Sequence, residues 1–298
     1  HFYSKYREQK GQRSYNFVRL TLQREGVVAK AKRRGAHRRK RERKPLIGMM
    51  LHQDGSRHAW LRGQQHDLIV TLDDATGAIY SAFLVDEEDT MSSFMGVAEV
   101  IARHGLFNSL YTDRGSHYWH TAHAGGKVDR VNLTQFARAM AQLGIDMIAA
   151  YSPQARGRSE RAFGTLQERL PKELTDAAIT DLAAANRFLQ RRFVPAYNRE
   201  FAVPAAETGS AFVPWVGGNL HDILCVQEER VVRSDNCVAY QNKLLQIPAD
   251  RHRCHYVKAK VRVHEYANGS LAVFYGPRCL AHYTANGKEI KIKVKAAA

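Results

Sequence analysis

Apolar positions between residues 46 and 170 follow strand and helix periods in turn. Short apolar or alternating runs predict strands, and apolar residues three or four positions apart predict helices. Asn132 is expected to cap the second helix and Gly144 to end it. The predicted elements are a strand over 46–53 that ends at Asp54, strands over 67–73 and 78–85, a helix over 90–103, a strand over 107–112, the helix after Asn132, a strand over 145–150 and a helix over 158–170.

This order of elements predicts an α/β fold with a mixed sheet. Three antiparallel strands followed by right-handed α/β crossovers bring the ends of the first and fourth strands together. The ribonuclease H fold has this topology, so we expect a ribonuclease H-like core over residues 46–218. Order alone says little about function, since α/β sheets host many activities.

The first 29 residues predict two helices joined by a turn at Lys10-Gly11. Ser14 is expected to cap the second helix, and Gly26 to end it. An ordinary helical hairpin and a DNA-binding helix-turn-helix both fit this outline. In the second case the side chains that reach the DNA bases would be Arg13, Asn16, Arg19 and Gln23. Because the chain begins at His1, in what resembles a helix end, we expect this segment to be truncated.

Charge is concentrated at the two ends of the chain, which has a net charge of +16. Residues 1–45 carry 16 Lys and Arg against 3 Asp and Glu. Such a block indicates a polyanionic partner, a nucleic acid or an acidic membrane surface, more than a solvated surface. Residues 30–45 lack periodic apolar positions, so we expect a basic linker that follows DNA phosphates. Its central contacts would be Arg38, Arg39, Lys40 and Arg41.

Residues 219–298 predict short strands separated by turns, which we interpret as a small β-barrel. Basic and apolar residues alternate at Lys260, Val261 and Arg262. This alternation fits a DNA-binding sheet and a half-exposed packing sheet equally. No apolar run approaches the ~20 residues that cross a bilayer. We therefore expect a cytoplasmic, nucleoid-associated protein that makes no membrane contact.

Two groups of His and Cys residues raise the question of a zinc site. The four cysteines lie singly and form no CxxC pair, so we expect them to be reduced. The group at His252, Cys254 and His255 lacks a second pair of ligands. His117, His120 and His123 fall in a predicted His- and Gly-rich loop over 117–131, where a mobile polar loop is the favoured interpretation.

Three acidic residues are candidate ligands for a metal. Asp54 and Asp113 follow two strands that the predicted fold places side by side. Glu160 is expected to share the buried stripe of its helix with Phe163 and Leu166. A buried carboxylate requires a partner, either an arginine or a cation. Converging carboxylates suit Mg²⁺, and two such ions can activate phosphodiester chemistry.

Asp73 and Asp74 compete with Asp54 for the first position. Both end a strand, but the Ala-Thr-Gly that follows is typical of a hairpin turn, and hydrogen bonding to that turn explains them. Asp74 is the reserve candidate.

Six segments resemble, in this order, the core of bacterial insertion-sequence transposases in the retroviral integrase superfamily. The resemblance implies that Asp54, Asp113 and Glu160 are the catalytic acids, and that Gln154, Arg156 and Arg158 line the DNA. Arg114 and Arg156 depart from the asparagine and lysine that are common there. The segments are LHQDGSRHAW, VTLDDATGAIYSAFL, LYTDRGSHY, NLTQFARAMAQLGI, YSPQARGRSERAFGTLQERLPKEL and YNREFAVPAAE.

The resulting expectation is a DNA transposase that cuts the ends of a mobile element and joins them to target DNA. It would use two Mg²⁺ ions, with Mn²⁺ as a substitute, and would bind double-stranded DNA as a homo-oligomer. Two alternatives stay open at this point. One is a ribonuclease H-like nuclease that only hydrolyses, and the other is a DNA-binding repressor derived from a catalytically decayed transposase.

Overall fold

The computed structural model describes residues 1–30, 42–123, 126–151, 157–249 and 252–290. The N-terminal and central elements are α1 (Phe2–Glu8), α2 (Tyr15–Arg24), β1 (Leu51–Leu61), β2 (Gln64–Asp73), β3 (Ile79–Val85), α3 (Thr90–His104), β4 (Ser109–Thr112), α4 (Gln135–Leu143), β5 (Asp146–Ala149), α5 (Gly157–Asp176), α6 (Leu182–Phe188), a π-helical turn (Leu189–Phe193) and α7 (Val194–Phe201). The C-terminal strands are β6 (Val226–Val231), β7 (Cys237–Tyr240), β8 (Lys243–Gln246), β9 (Lys260–Glu265), β10 (Leu271–Tyr275), β11 (Arg278–Tyr283) and β12 (Glu289–Ile290).

The central sheet has five strands in the order β3-β2-β1-β4-β5. β1, β2 and β3 are antiparallel, whereas β4 is parallel to both β1 and β5. The predicted order of elements and the mixed α/β sheet are therefore confirmed. Strand order and direction are those of a ribonuclease H-like core.

Several predicted boundaries are wrong, most of all those of β1 and the start of α4. β1 begins at Leu51 and continues to Leu61, so Asp54 lies inside the strand instead of at its end. The apolar run stops at Leu51, but residues 51–61 pair with β2 in an antiparallel ladder. The cap of α4 is Thr134, whose hydroxyl accepts a hydrogen bond from the amide of Ala137, and not Asn132. Asn132 instead bonds Asp129 in the preceding loop.

Each face of the sheet carries its own apolar layer. On one face, β2 side chains such as Val70 and Leu72 pack against α5, α6 and α7. On the other face, Leu51 and Leu110 pack against α3 and α4. Side chains alternate along a strand, so residues 52, 54 and 56 of β1 all belong to the α5 face.

The two N-terminal helices form as predicted, with Ser14 accepting a hydrogen bond from the amide of Phe17. α2 buries only Val18, and Phe17 and Leu20 are exposed. α1 docks on the core through polar contacts, in which His1 and Lys5 both reach Glu173 of α5, at 2.9 and 3.2 Å. A DNA-binding role for these helices stays a prediction.

The C-terminal strands enclose a separate apolar cluster. Five of them form an antiparallel sheet in the order β12-β11-β10-β9-β6, and β7 and β8 form a hairpin. Val261 and Val263 point into the cluster while Lys260 and Arg262 are exposed, as the alternation predicted. Gln135 of α4 joins this region to the core through two hydrogen bonds with the backbone of Gln227, at 2.8 and 2.9 Å. Closure into a barrel stays an interpretation.

No helix in the described parts of the chain combines the length and the apolar character that crossing a membrane demands.

His264 of β9 is expected to make stability depend on pH. Burial, reinforced by the charges of Arg262 and Arg138, lowers its pKa from 6.5 to about 4, against an opposing effect of Asp222. Between these two values the unfolded chain binds a proton that the folded chain excludes, so stability is lost as the pH falls through this window. Urea unfolding across the same pH range should show a shallower decline for His264→Gln than for the parent protein. Parallel declines would contradict this assignment.

Candidate metal and nucleic-acid site

Asp54 lies on β1, and Asp113 directly follows β4, the strand that pairs in parallel with β1. Leu51 pairs with Leu110 and His52 with Tyr111, and the same register continued by two residues aligns Asp54 with Asp113. Paired parallel strands lie about 4.8 Å apart. Asp54 is 8% exposed, whereas Asp113 is half-buried. The Oδ1 of Asp113 accepts a hydrogen bond from the amide of Gly115 at 2.8 Å, which orients the carboxylate where β4 ends.

α5 runs along β1 on the face that carries Asp54. Near the start of α5, Arg158 contacts the carboxylate of Asp74, which His52 on β1 also contacts. Nine residues later, Gln167 donates a hydrogen bond to Ser56 Oγ at 2.9 Å. Nine helical residues rise about 13.5 Å, and four strand residues span about 13 Å. The helix and the strand therefore advance over similar distances between these two contacts. Glu160, two helical residues or about 3 Å beyond Arg158, is thus about level with the strand residue that follows His52.

The predicted burial of Glu160 is wrong. Glu160 is exposed in the first turn of α5, and the buried residue at that level is Ser159, which is 3% exposed. The stripe comprises Ser159, Ala162, Phe163, Leu166, Leu170 and Leu174. Glu160 therefore flanks the stripe, at the edge that also carries Gln167.

Asp74 is fully buried and has three partners from other segments. Its carboxylate contacts the guanidinium of Arg158, the Nε2 of His52 at 2.6 Å and the backbone amide of Lys44 at 2.7 Å. Asp73, also fully buried, accepts hydrogen bonds from Thr76 and Gly48 and so stabilises the hairpin turn, as predicted. The carboxylate of the reserve candidate is thus enclosed by protein groups.

A buried polar network supports the strand beside Asp54. Gln53 donates hydrogen bonds to the Thr71 hydroxyl and to the carbonyl of Ser93, both at 3.1 Å, and accepts one from the Tyr118 hydroxyl at 3.2 Å. Burial raises the pKa of Tyr118 well above 10, and the charges of Glu88, Asp54 and Asp113 raise it further. Tyr118 therefore stays neutral and serves as a hydrogen-bond donor.

Glu88 and its pairing with His117 were not predicted from the sequence. The Oε2 of Glu88 lies 2.1 Å from where a Cβ on Gly55 would stand, so the residue after Asp54 leaves room for this carboxylate. His117 Nε2 lies 3.3 Å from Glu88 Oε1. The predicted polar loop thus contributes one histidine to the acidic surroundings. The sequence signal was the glycine that follows Asp54.

The described residues contain no group of three His, Cys, Asp or Glu side chains arranged to hold a metal. Two carboxylates, Asp54 on β1 and Asp113 directly after β4, are of the chemical type that a hard divalent cation prefers.

The predicted DNA contacts fall into three groups. Arg13, Asn16 and Arg19 are exposed, and Gln23 is half-buried. Arg158 is engaged with Asp74. Those that lie outside the described residues are Arg38, Arg39, Lys40, Arg41, Gln154 and Arg156.

Two helix glycines test the packing around Asp54. A Cβ on Gly96 of α3 would stand 2.3 Å from Gln53 Nε2, whereas nothing lies within 4 Å of one on Gly164 of α5. Gly96→Ala should lower the free energy of unfolding by about 1–3 kcal/mol, as overpacking does. Gly164→Ala should raise it by about 1 kcal/mol through helix propensity. Urea unfolding of both variants checks the signs, and equal shifts in one direction would refute the packing.

Known proteins similar to this chain include two transposases. No protein-family model matches the chain. It is 32% identical over 252 residues to a protein of Sinorhizobium fredii named transposase y4bF, covering 83% of this chain and 54% of that protein. It is 33% identical to the transposase for insertion sequence IS1202 of Streptococcus pneumoniae, covering 68% of this chain and 43% of that protein. The chain thus spans about half the length of these relatives.

Among solved structures, a simian T-cell lymphotropic virus intasome in complex with PP2A regulatory subunit B56 gamma overlaps 89% of this chain and 86% of its own matched chain, at 14% identity and a TM-score of 0.42. The magnesium-bound catalytic core of HTLV-2 integrase overlaps 55% of this chain and 94% of its own, at 18% identity and a TM-score of 0.39. The chain is thus similar in sequence to two transposases, one of them that of an insertion sequence, in agreement with the resemblance of its motifs.

Proposed function

We propose that this chain is a DNA transposase whose Asp54, Asp113 and Glu160 hold two divalent metal ions. The observation that carries the proposal is the parallel pairing of β1 with β4 in a chain similar to transposases. Continuing its register by two residues would align Asp54 with Asp113. The course of α5 along β1 supports Glu160 as the third ligand. Because Glu160 is exposed, its side chain has to turn toward the strands when metal and DNA bind.

The carboxylates fit Mg²⁺ in chemical kind, and Mn²⁺ is the expected substitute. A bound metal pair supplies activation of the attacking oxygen and stabilisation of the leaving oxygen. Asp54, Asp113 and Glu160 would together hold these ions. The buried hydrogen bonds of Gln53 with Tyr118 and Thr71 would hold the part of β1 that carries Asp54 in place.

Two phosphodiester exchanges follow from this proposal. In the first, the oxygen of water bonds to phosphorus at the element end, the bond to the 3′ oxygen breaks and a 3′-hydroxyl is freed. In the second, that 3′ oxygen bonds to a target phosphorus and displaces the target's own 3′ oxygen. A nuclease that only hydrolyses would perform the first exchange alone.

The ends of the chain would supply most of the DNA affinity. We assign residues 1–29 to a helix-turn-helix, 30–45 to a basic linker, 46–218 to the catalytic core and 219–298 to a small β-barrel. The 16 basic residues before position 46 suit the phosphates of element ends and target DNA. The active complex would be a homo-oligomer, and we place it on the bacterial nucleoid.

The neutral variants Asp54→Asn, Asp113→Asn and Glu160→Gln keep the shape of each side chain but remove a ligand charge. Each should reduce both end cleavage and strand transfer below detection while DNA affinity stays within about twofold, because the lost interaction is with the metal and not with phosphates. Labelled element ends and a target plasmid measure the two steps separately.

Matched controls are Asp146→Asn on β5 and Glu168→Gln on α5, both exposed acids on the same elements or their neighbours. They should retain normal activity. Near-normal activity in Glu160→Gln would remove Glu160 from the site, and cleavage without any strand transfer by the parent protein would favour the nuclease.

Removing residues 1–44 should flatten the salt dependence of DNA binding. Each phosphate contact adds about −0.9 to the slope of log K against log salt, so loss of several contacts is readily measured by fluorescence anisotropy. An unchanged slope in the truncated protein would show that this segment does not bind phosphates.

Arg19→Ala should reduce preference for element ends more than affinity for random DNA, as loss of a base contact does.

A further inference from the structure

We propose that Asp74 is a positioning residue that sets the start of α5, and with it Glu160, against β1. The inference rests on the proposed function in one respect, the role of Glu160 as a ligand. It assigns a function to a carboxylate that hairpin geometry alone would explain as a turn residue, and to an arginine that sequence resemblance assigned to DNA.

Asp74 joins three segments that are far apart in sequence. Its oxygens contact Arg158 on α5, His52 on β1 and the backbone amide of Lys44 at the end of the basic segment. The side chains of Asp74, His52 and Arg158 are largely removed from solvent, with exposed fractions of 0%, 2% and 15%. Arg43 adds to the junction by donating to the carbonyls of Asp74 and Ala75.

Asp73 shows what a turn residue does in the same place. Asp73 is equally buried, yet its carboxylate accepts hydrogen bonds from the amide and hydroxyl of Thr76 in the turn and from the amide of Gly48, which precedes β1. Asp73 meets β1 through backbone pairing with Leu51, whereas the carboxylate of Asp74 contacts side chains of both α5 and β1. Asp73 and Asp74 are therefore matched in burial and position but differ in whether the carboxylate contacts α5.

The geometry links this cluster to both proposed ligands on that face. Arg158 and Glu160 are two residues apart on α5, and His52 and Asp54 are two residues apart on β1. A buried ion pair that loses one partner leaves an uncompensated charge, which the protein relieves by moving the remaining group toward water. If Arg158 moves, the first turn of α5 moves with it, and the position of Glu160 relative to Asp54 changes.

The same contacts give Arg158 a role other than phosphate binding. Its guanidinium is directed to a buried carboxylate, whereas Arg161 on the next turn is exposed. Arg158→Ala should therefore leave the salt slope of DNA binding unchanged. A DNA-lining arginine would instead reduce the slope by about one phosphate contact.

The experiment compares Asp74→Asn with Asp73→Asn in the full chain. Two readouts are needed: Mn²⁺ affinity, from the electron paramagnetic resonance signal of free Mn²⁺, and the rate of end cleavage. Asp74→Asn should weaken Mn²⁺ binding and slow cleavage by about 10-fold or more, as loss of a group that orients metal ligands does. Asp73→Asn should lower thermal stability and leave Mn²⁺ affinity within about twofold of the parent. Arg158→Lys, which keeps the charge, should recover part of what Arg158→Ala loses.

Equal Mn²⁺ affinity in Asp74→Asn and Asp73→Asn would overturn the inference. If Asp74→Asn does not fold, the double variant Asp74→Asn/Arg158→Met removes both charges and decides the matter: weak Mn²⁺ binding supports positioning, and parental Mn²⁺ binding refutes it. Asp54→Asn and Asp113→Asn keep the two proposals apart. Should these variants bind Mn²⁺ and cleave normally, the proposed function fails, whereas their inactivity beside a normal Asp74→Asn defeats only the positioning role.

Discussion

The packing of α5 on one face of β1 and β2 determines where the first turn of α5, which carries Glu160, lies relative to Asp54. The helix buries an apolar stripe that includes Leu166 and Leu170 against Val70 and Leu72 of the sheet. Fully burying a side chain of this size contributes about 1.5–3 kcal/mol, so the helix has little freedom to slide. Because Asp54 belongs to the same face of β1, the first turns of α5 must pass beside it.

Buried polar groups on β1 and at the end of β2 also restrict the packing around Asp54. Gln53, Asp73 and Asp74 are all buried, and each has hydrogen-bond partners that fix its orientation. A buried polar group left without a partner costs about 1–3 kcal/mol, and a charged one costs more.

Local periodicity predicted the order of elements but not their ends. β1 continues past Asp54 because residues 54–61 pair with β2, and this pairing is a long-range property that an apolar run does not record. Spacing also left the stripe of α5 ambiguous, since Ser159 and Glu160 both lie one turn before Phe163. The contact between Asp74 and Arg158 spans 84 residues, and no local pattern reveals it. Motif resemblance identified the relatives, whereas the register of β1 and β4 needed coordinates.

Convergence of Asp54, Asp113 and Glu160 on metal ions would be visible in anomalous diffraction from crystals grown with Mn²⁺ and a pre-cleaved DNA end. We expect two anomalous peaks ~4 Å apart, with Asp54 between them and oxygens of Asp113 and Glu160 each at about 2.1 Å from one peak. Peaks that leave Glu160 uncoordinated, or that lie on the carboxylate of Asp74, would contradict this convergence.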